Sequence, residues 1–116
     1  MEFKFSTGVT VKIRKASAIE IEYFLGILGS QTNQKALEKV PTMIYPFVLK
    51  YFVEDYEPSR LPQKDRFAQE TIPVFNRKIR VLTEKAIEEI FSRGFIGLEE
   101  QEEFRKKVSE LNKLPF

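Results

Sequence analysis

The segment Met43–Val53 constrains the fold more than any other part of the chain. Its eleven residues carry one charge, on Lys50, and are otherwise apolar, aromatic or proline. At helical spacing they form one wide apolar face, made of Ile44, Phe47, Val48, Tyr51 and Phe52. Pro46 fits the first turn of a helix if Thr42 is the N-cap. Because a bilayer requires roughly 20 residues, we interpret this segment as the central core helix of a single domain, residues 1–116.

The composition excludes several kinds of chemistry. The chain has no cysteine and no histidine, so it lacks disulfides, thiolate nucleophiles and the commonest general base and metal ligand. Its 19 basic and 17 acidic residues give a net charge of only +2, which offers nucleic acid little to hold. We therefore expect a protein with no enzymatic activity and no cofactor. We also expect a cytoplasmic setting without a membrane partner, because the N-terminus has no apolar leader segment.

The N-terminal region predicts a β-hairpin over residues 3–14. Apolar side chains alternate on both sides of a Ser-Thr-Gly turn, so that one face is buried and Lys4, Thr10, Lys12 and Arg14 remain in water. Ser17 and Glu20 match a capping box, which predicts a helix from Ala18 to Leu28 with Gly29 as its C′ residue. That helix is apolar almost all round, so it is either deeply buried or covered by a partner.

The rest of the chain reads as helices joined by polar loops. A helical core over 17–55 includes a short helix from Gln34 to Val40. A flexible connector follows over 57–74, and C-terminal helices occupy 75–113. The first of these helices runs from Phe75 to Arg93 and ends at Gly94, unless Thr83 caps a separate helix. The predicted fold class is α+β, mostly α-helical, with the hairpin packed on a bundle of about four to five helices.

Charged clusters were considered as functional sites. Glu88/Glu89 and the run Glu99, Glu100, Glu102 and Glu103 could serve acid–base or metal chemistry, but exposed glutamates on helices are usually solvated surface. Six cations could contact phosphate groups: Lys12, Arg14, Lys15, Arg77, Lys78 and Arg80. The hairpin aromatics are needed for burial, which leaves no stacking platform for nucleobases.

Surplus apolar surface indicates protein binding. The small hairpin has edges that invite pairing, and the first helix carries more apolar side chains than one small domain readily covers. We therefore predict self-association and a helical client protein. The predicted protein-binding residues lie on the first helix and on the connector: Ile21, Leu25, Phe67, Ile72, Val74 and Phe75.

Residues 3–17 resemble the start of tail assembly chaperones of long-tailed bacteriophages. In that family a strand, a Ser-x-Gly turn and a second strand precede a basic residue, a Ser/Thr cap and a helical body. Here these are the turn Ser6-Thr7-Gly8, the basic pair Arg14-Lys15 and the cap Ser17. A Pro-containing connector at Glu57 to Pro62 also fits that layout. The resemblance implies an assembly factor that coats the tape measure protein before the tail tube polymerises. A structural or adaptor subunit of another assembly, or a small nucleic-acid-associated regulator, are the alternatives.

Overall fold

Two small antiparallel sheets and a set of helices make up the computed structural model, which describes residues 1–31, 41–72 and 77–114. The chain has an α+β fold, as predicted. The side chains of residues 30, 31, 41–43 and 72 lie outside this description, as does the predicted helix from Gln34 to Val40. No helix of the described residues is long and apolar enough to cross a membrane.

The predicted N-terminal hairpin is present and forms part of a larger sheet. Strand β1 (Glu2–Lys4) pairs with β2 (Thr10–Ile13) across a turn in which Gly8 takes a φ of +93°. The predicted apolar face is buried: Phe3, Phe5, Val9, Val11 and Ile13. A third strand, β3 (Val53–Glu57), pairs with the other edge of β2, giving the order β1-β2-β3. One of the two hairpin edges that invite pairing is therefore paired within the chain.

Strand β3 corrects the end of the predicted helical core over 17–55, because its residues from Val53 onward form a strand. Helix α2 (Pro41–Phe52) passes directly into β3, where Val53 and Tyr56 point into the core. The exposed backbone edge of β2 requires hydrogen-bond partners, and β3 supplies them. Helix α2 itself is the predicted core helix, with Val48, Leu49 and Phe52 fully buried. Thr42 lies inside this helix, so its predicted role as N-cap is wrong.

Helix α1 (Ala18–Gln31) begins at the predicted capping box. Ser17 N donates to Glu20 Oε1 at 3.1 Å, and Glu20 N donates to Ser17 Oγ at 3.3 Å. The helix continues through Gly29, so the predicted C-terminal end at Leu28 is wrong. The side chains of Phe24 and Leu28 reach the core, where the Phe24 ring lies 5.3 Å from the Phe52 ring.

The region from residue 63 to residue 82 differs most from the prediction. A single helical turn, α3 (Gln63–Arg66), leads into β4 (Phe67–Ile72), and β4 pairs in register with β5 (Arg77–Leu82). Strands thus occupy part of the predicted connector over 57–74 and the first part of the predicted helix from Phe75. Period-two burial explains β5, because Ile79 and Val81 point to the core while Lys78 is exposed.

Two C-terminal helices complete the fold. Thr83 caps α4 (Glu84–Ser92) by accepting a hydrogen bond from Ala86 N at 3.2 Å, which confirms the alternative of a separate helix. Helix α5 (Leu98–Asn112) then packs on α2 and on the first sheet. Phe104 of α5 is fully buried among the rings of Phe3, Phe5 and Tyr45.

Candidate functional site

Large apolar side chains are exposed where α4 turns into α5. Phe95 is 89% exposed, Leu98 is 59% exposed and Phe91 is 43% exposed. We call these three residues the apolar corner. Exposed apolar side chains gathered in one place are characteristic of protein-binding surfaces.

Local geometry forces Phe95 outward. Helix α4 ends at Arg93, and Gly94 follows with a φ of +145°, a conformation that other residues rarely adopt. A Cβ atom at Gly94 would also lie 3.1 Å from Cγ2 of Thr7, so the β1–β2 turn packs directly against this glycine. The next residues alternate, because Ile96 is buried and Phe95 is not. A second link holds the same turn to α5, where Ser6 Oγ donates to Glu100 Oε1 at 3.0 Å.

A groove of about 360 Å³ lies beside the apolar corner. Its lining combines apolar side chains with two polar ones: Tyr45, Pro46, Phe91, Phe95, Ile96 and Gln101. The hydroxyl of Tyr45 and Oε1 of Gln101 are buried without a hydrogen-bond partner in the described part of the chain. Burial raises the pKa of Tyr45, and nearby Glu100 adds to this effect, so the hydroxyl remains a protonated donor. The groove thus offers an apolar wall, and the two unpaired polar atoms lie buried behind it.

The predicted protein-binding residues lie elsewhere. Ile21 and Leu25 of α1 are half-buried and pack against the core, so they contribute partly exposed apolar surface. Phe67 is 8% exposed and lies under the guanidinium of Arg80, with 4.1 Å between that group and the ring centroid. The side chain of Ile72 and both Val74 and Phe75 lie outside the described residues. Protein binding by this set remains a prediction.

The apolar corner could not be predicted from the sequence. Phe95-Ile96-Gly97 is a short apolar connection, and its composition does not indicate which of the two adjacent apolar residues is buried. Two bulky apolar residues in a connection flanked by glycines are the available cue, since loops normally carry polar residues.

The six cations considered as phosphate contacts do come together. Strand β2 and the residues after it bring Lys12, Arg14 and Lys15 to the same cleft, and β5 adds Arg77, Lys78 and Arg80. The cleft measures about 460 Å³ and also contains three carboxylates, those of Glu20, Glu54 and Asp55. We call this site the basic cleft.

Arg14 corrects the prediction that its side chain lies in water. Its side chain is 10% exposed, Nη1 lies 3.8 Å from Glu20 Oε2, and Nη2 donates to the carbonyl oxygen of Arg80. Burial lowers the pKa of Arg14, and the charge of Glu20 opposes that shift. Its backbone carbonyl accepts a hydrogen bond from Asn112 Nδ2 at 3.0 Å, which ties α5 to the start of α1. Arg14 thus joins β2, α1, β5 and α5.

Three of the acidic residues considered for catalysis, Glu89, Glu100 and Glu102, make hydrogen bonds or ion pairs within the fold. Glu89 accepts hydrogen bonds from Tyr56 Oη at 2.7 Å, Ser59 Oγ at 2.6 Å and Arg60 N at 2.8 Å. Desolvation alone would raise the pKa of Glu89, but these hydrogen bonds and the charge of Arg93 lower it overall. No three acidic side chains of the described residues are arranged to hold a metal ion.

Comparison of the chain with protein-family models, with curated proteins and with solved structures finds no match. The function is therefore inferred from the apolar corner and the basic cleft.

Proposed function

We propose that this protein is a non-enzymatic assembly factor that binds other proteins through the apolar corner. The observation that carries the proposal is the 89% exposure of Phe95 between two further exposed apolar residues, Phe91 and Leu98. Exposing a phenylalanine ring to water is unfavourable by about 1.5–3 kcal/mol relative to burial, so a partner that covers it gains that free energy. Aromatic side chains at the centre of a patch are also typical binding hot spots.

An amphipathic helix is the class of partner that we propose for this surface. Helix-binding grooves present an apolar wall that receives side chains spaced at three and four residues. The groove beside Phe95 has such a wall, made of Tyr45, Pro46, Phe91, Phe95 and Ile96. The resemblance to phage tail assembly chaperones suggests the same class, because a tape measure protein is a long helical client. The setting proposed with it is the cytoplasm.

We also propose that the chain self-associates. Helix α1 exposes part of its apolar surface to solvent. Four of its apolar side chains are only partly buried: Ile21, Tyr23, Leu25 and Ile27. Strands β1 and β3 are the edges of the first sheet and offer backbone groups for pairing. An adaptor subunit of another assembly would use the same surfaces, but it would keep its partner permanently.

Phe95 allows a clean test, because its side chain contributes little to the fold. We expect Phe95→Ser to weaken client binding at least about tenfold, since it removes most of a 1.5–3 kcal/mol contribution. Phe95→Leu is the matched control, because it changes the same position and keeps an apolar side chain. The probe is a synthetic amphipathic helix with apolar side chains spaced at three and four residues, and the readout is the amount retained on the immobilised protein.

The outcomes separate the candidate functions. Loss of client binding in Phe95→Ser, with binding kept in Phe95→Leu, supports the proposal. A chaperone releases its client during assembly, whereas an adaptor keeps it, so client release separates these two functions. Light scattering over a concentration series measures self-association, with masses above 13.6 kDa expected. Equal retention by both variants would show that the apolar corner is not the binding surface.

A further inference from the structure

We infer that the basic cleft is a binding site for a ligand that carries several linked phosphate groups. The cleft is assembled from β2 and β3 of the first sheet, β5 of the second sheet, helix α1 and the connection between β2 and α1. Its volume of about 460 Å³ lies within the range of sites for small ligands, about 300–1,000 Å³. The inference concerns a surface separate from the apolar corner and does not depend on the proposed protein partners.

The charges in the cleft do not cancel. Six cations and three carboxylates line it, an excess of three positive charges. Lys12 pairs with Glu54 at 3.4 Å, and Arg14 and Arg77 lie 3.8 and 3.7 Å from the single carboxylate of Glu20. The remaining carboxylate, that of Asp55, lies 3.6 Å from Arg66, which is not a lining residue.

Three cations therefore remain for a ligand. Lys15, Lys78 and Arg80 have no carboxylate within 4.0 Å among the described residues. Each lies in a cleft whose other positive charges repel it, and this repulsion is relieved when an anion enters. A chain of two or three phosphate groups carries enough negative charge to match all three, whereas one carboxylate matches one.

Part of the cleft is held in place before any ligand binds. The guanidinium of Arg80 stacks on the ring of Phe67, and the Arg80 carbonyl oxygen accepts a hydrogen bond from Arg14 Nη2. Arg14 is nine-tenths buried, and its Nε–H has no hydrogen-bond partner in the described part of the chain. A guanidinium with a fixed plane favours phosphate, because its donors match two oxygens at once and lose little freedom on binding.

The lining also indicates what the cleft does not recognise. Among the described residues that line it, Ile79 is the single apolar one and none is aromatic. Nucleobases are normally held by stacking on aromatic side chains. The described lining therefore favours recognition of the phosphate groups themselves.

Inorganic tripolyphosphate is the probe for the first test, with binding measured by isothermal titration calorimetry at low ionic strength. We expect the double variant Lys15→Gln/Lys78→Gln to bind it at least about tenfold more weakly, because two of the three unpaired charges are removed. The matched control is Lys106→Gln/Lys107→Gln, which removes two exposed charges from α5. The control should stay within about twofold of the parent, since those lysines lie outside the cleft.

Three further ligands identify the source of the phosphate groups. A thymidine oligonucleotide that binds and is weakened by the cleft variant alone supports the site, with a nucleic-acid backbone as the ligand. Binding of tripolyphosphate without the oligonucleotide supports it with a small oligophosphate as the ligand. Acetate and single phosphate ions should bind at least about tenfold more weakly than tripolyphosphate, because they satisfy fewer of the cations. Absence of tripolyphosphate binding, acetate binding of equal strength, or equal losses in both double variants would overturn the inference.

Discussion

Replacing Phe104 tests the description of the core most directly. Its side chain is fully buried, and its ring lies 5.5 Å from Phe3, 5.3 Å from Phe5 and 5.9 Å from Tyr45. Truncating a buried phenylalanine to alanine typically costs about 3–5 kcal/mol, and each aromatic pair adds about 0.5–1.5 kcal/mol beyond area burial. Because three ring contacts are lost together, we expect Phe104→Ala to cost about 4–5 kcal/mol.

That cost is large for a chain of this length. At about 0.05–0.15 kcal/mol per residue, 116 residues correspond to about 6–17 kcal/mol of total stability. With a urea m-value near 2 kcal/mol/M, the unfolding midpoint should fall by about 2 M.

The matched control is Phe95→Ala, which makes the same truncation at a position 89% exposed. It should change stability by no more than about 0.5 kcal/mol, the usual range for surface substitutions. Urea unfolding followed by circular dichroism measures both variants. A loss below about 1 kcal/mol for Phe104→Ala, or equal losses in the two variants, would refute the packing described for α5.

Three further predictions concern buried polar contacts. The pKa of Glu89 is lower in the folded than in the unfolded state, so its ionised carboxylate stabilises the fold above the unfolded-state pKa. That stabilisation is lost as pH falls through the folded-state pKa. Glu89→Gln should therefore reduce the free energy of unfolding at neutral pH, and the values for variant and parent should converge in acid. Burial first, and then Glu89, raises the pKa of Tyr56 to about 12, so stability should fall from about pH 10 upward. Tyr56→Phe should remove one tyrosine's contribution from the tyrosinate absorbance that develops near pH 12. Asn112→Ala should cost about 1–3 kcal/mol in urea unfolding, because Ala16 N–H and the Arg14 carbonyl lose their partner; a cost near zero would contradict that contact.

Local signals in the sequence were sufficient for several elements. The capping box at Ser17 and Glu20, the turn at Gly8 and the cap at Thr83 each involve residues close in the chain, so their geometry is decided by short-range sterics and hydrogen bonds. The core helix α2 was likewise predictable, because few other arrangements bury so many apolar residues in a row.

The strands β3 and β5 could not be predicted in the same way. Ile79 and Leu82 fit helical spacing, and the alternation of Ile79 with Val81 fits a strand equally well. Strand pairing decides between them, since β4 supplies backbone partners along the whole of β5. Val53 to Glu57 is short and acidic, and it becomes a strand because β2 offers an unpaired edge beside it.

The candidate sites show the same division between residue type and position. The six cations were identified by residue type. They lie together in one cleft because β5 lies beside β2, whereas the sequence had predicted a helix where β5 forms. The burial of Arg14 depends on the same placement, because its guanidinium reaches the Arg80 carbonyl oxygen. Phe95 depends instead on the backbone of Gly94, whose φ of +145° turns the chain outward.

The two surfaces use different parts of the fold, and this affects how their roles can be separated. The groove at the apolar corner is lined by residues of α2, α4, α5 and the connection between the last two, whereas the basic cleft is lined by residues of β2, α1, β3, β5 and the connection between β2 and α1. The two surfaces share no lining residue. If they act independently, substitutions at Phe95 and at Lys15 or Lys78 should therefore have additive effects on the free energies of protein binding and phosphate binding. A departure from additivity would mean that protein binding and phosphate binding are linked through the core that lies between α2 and the two sheets.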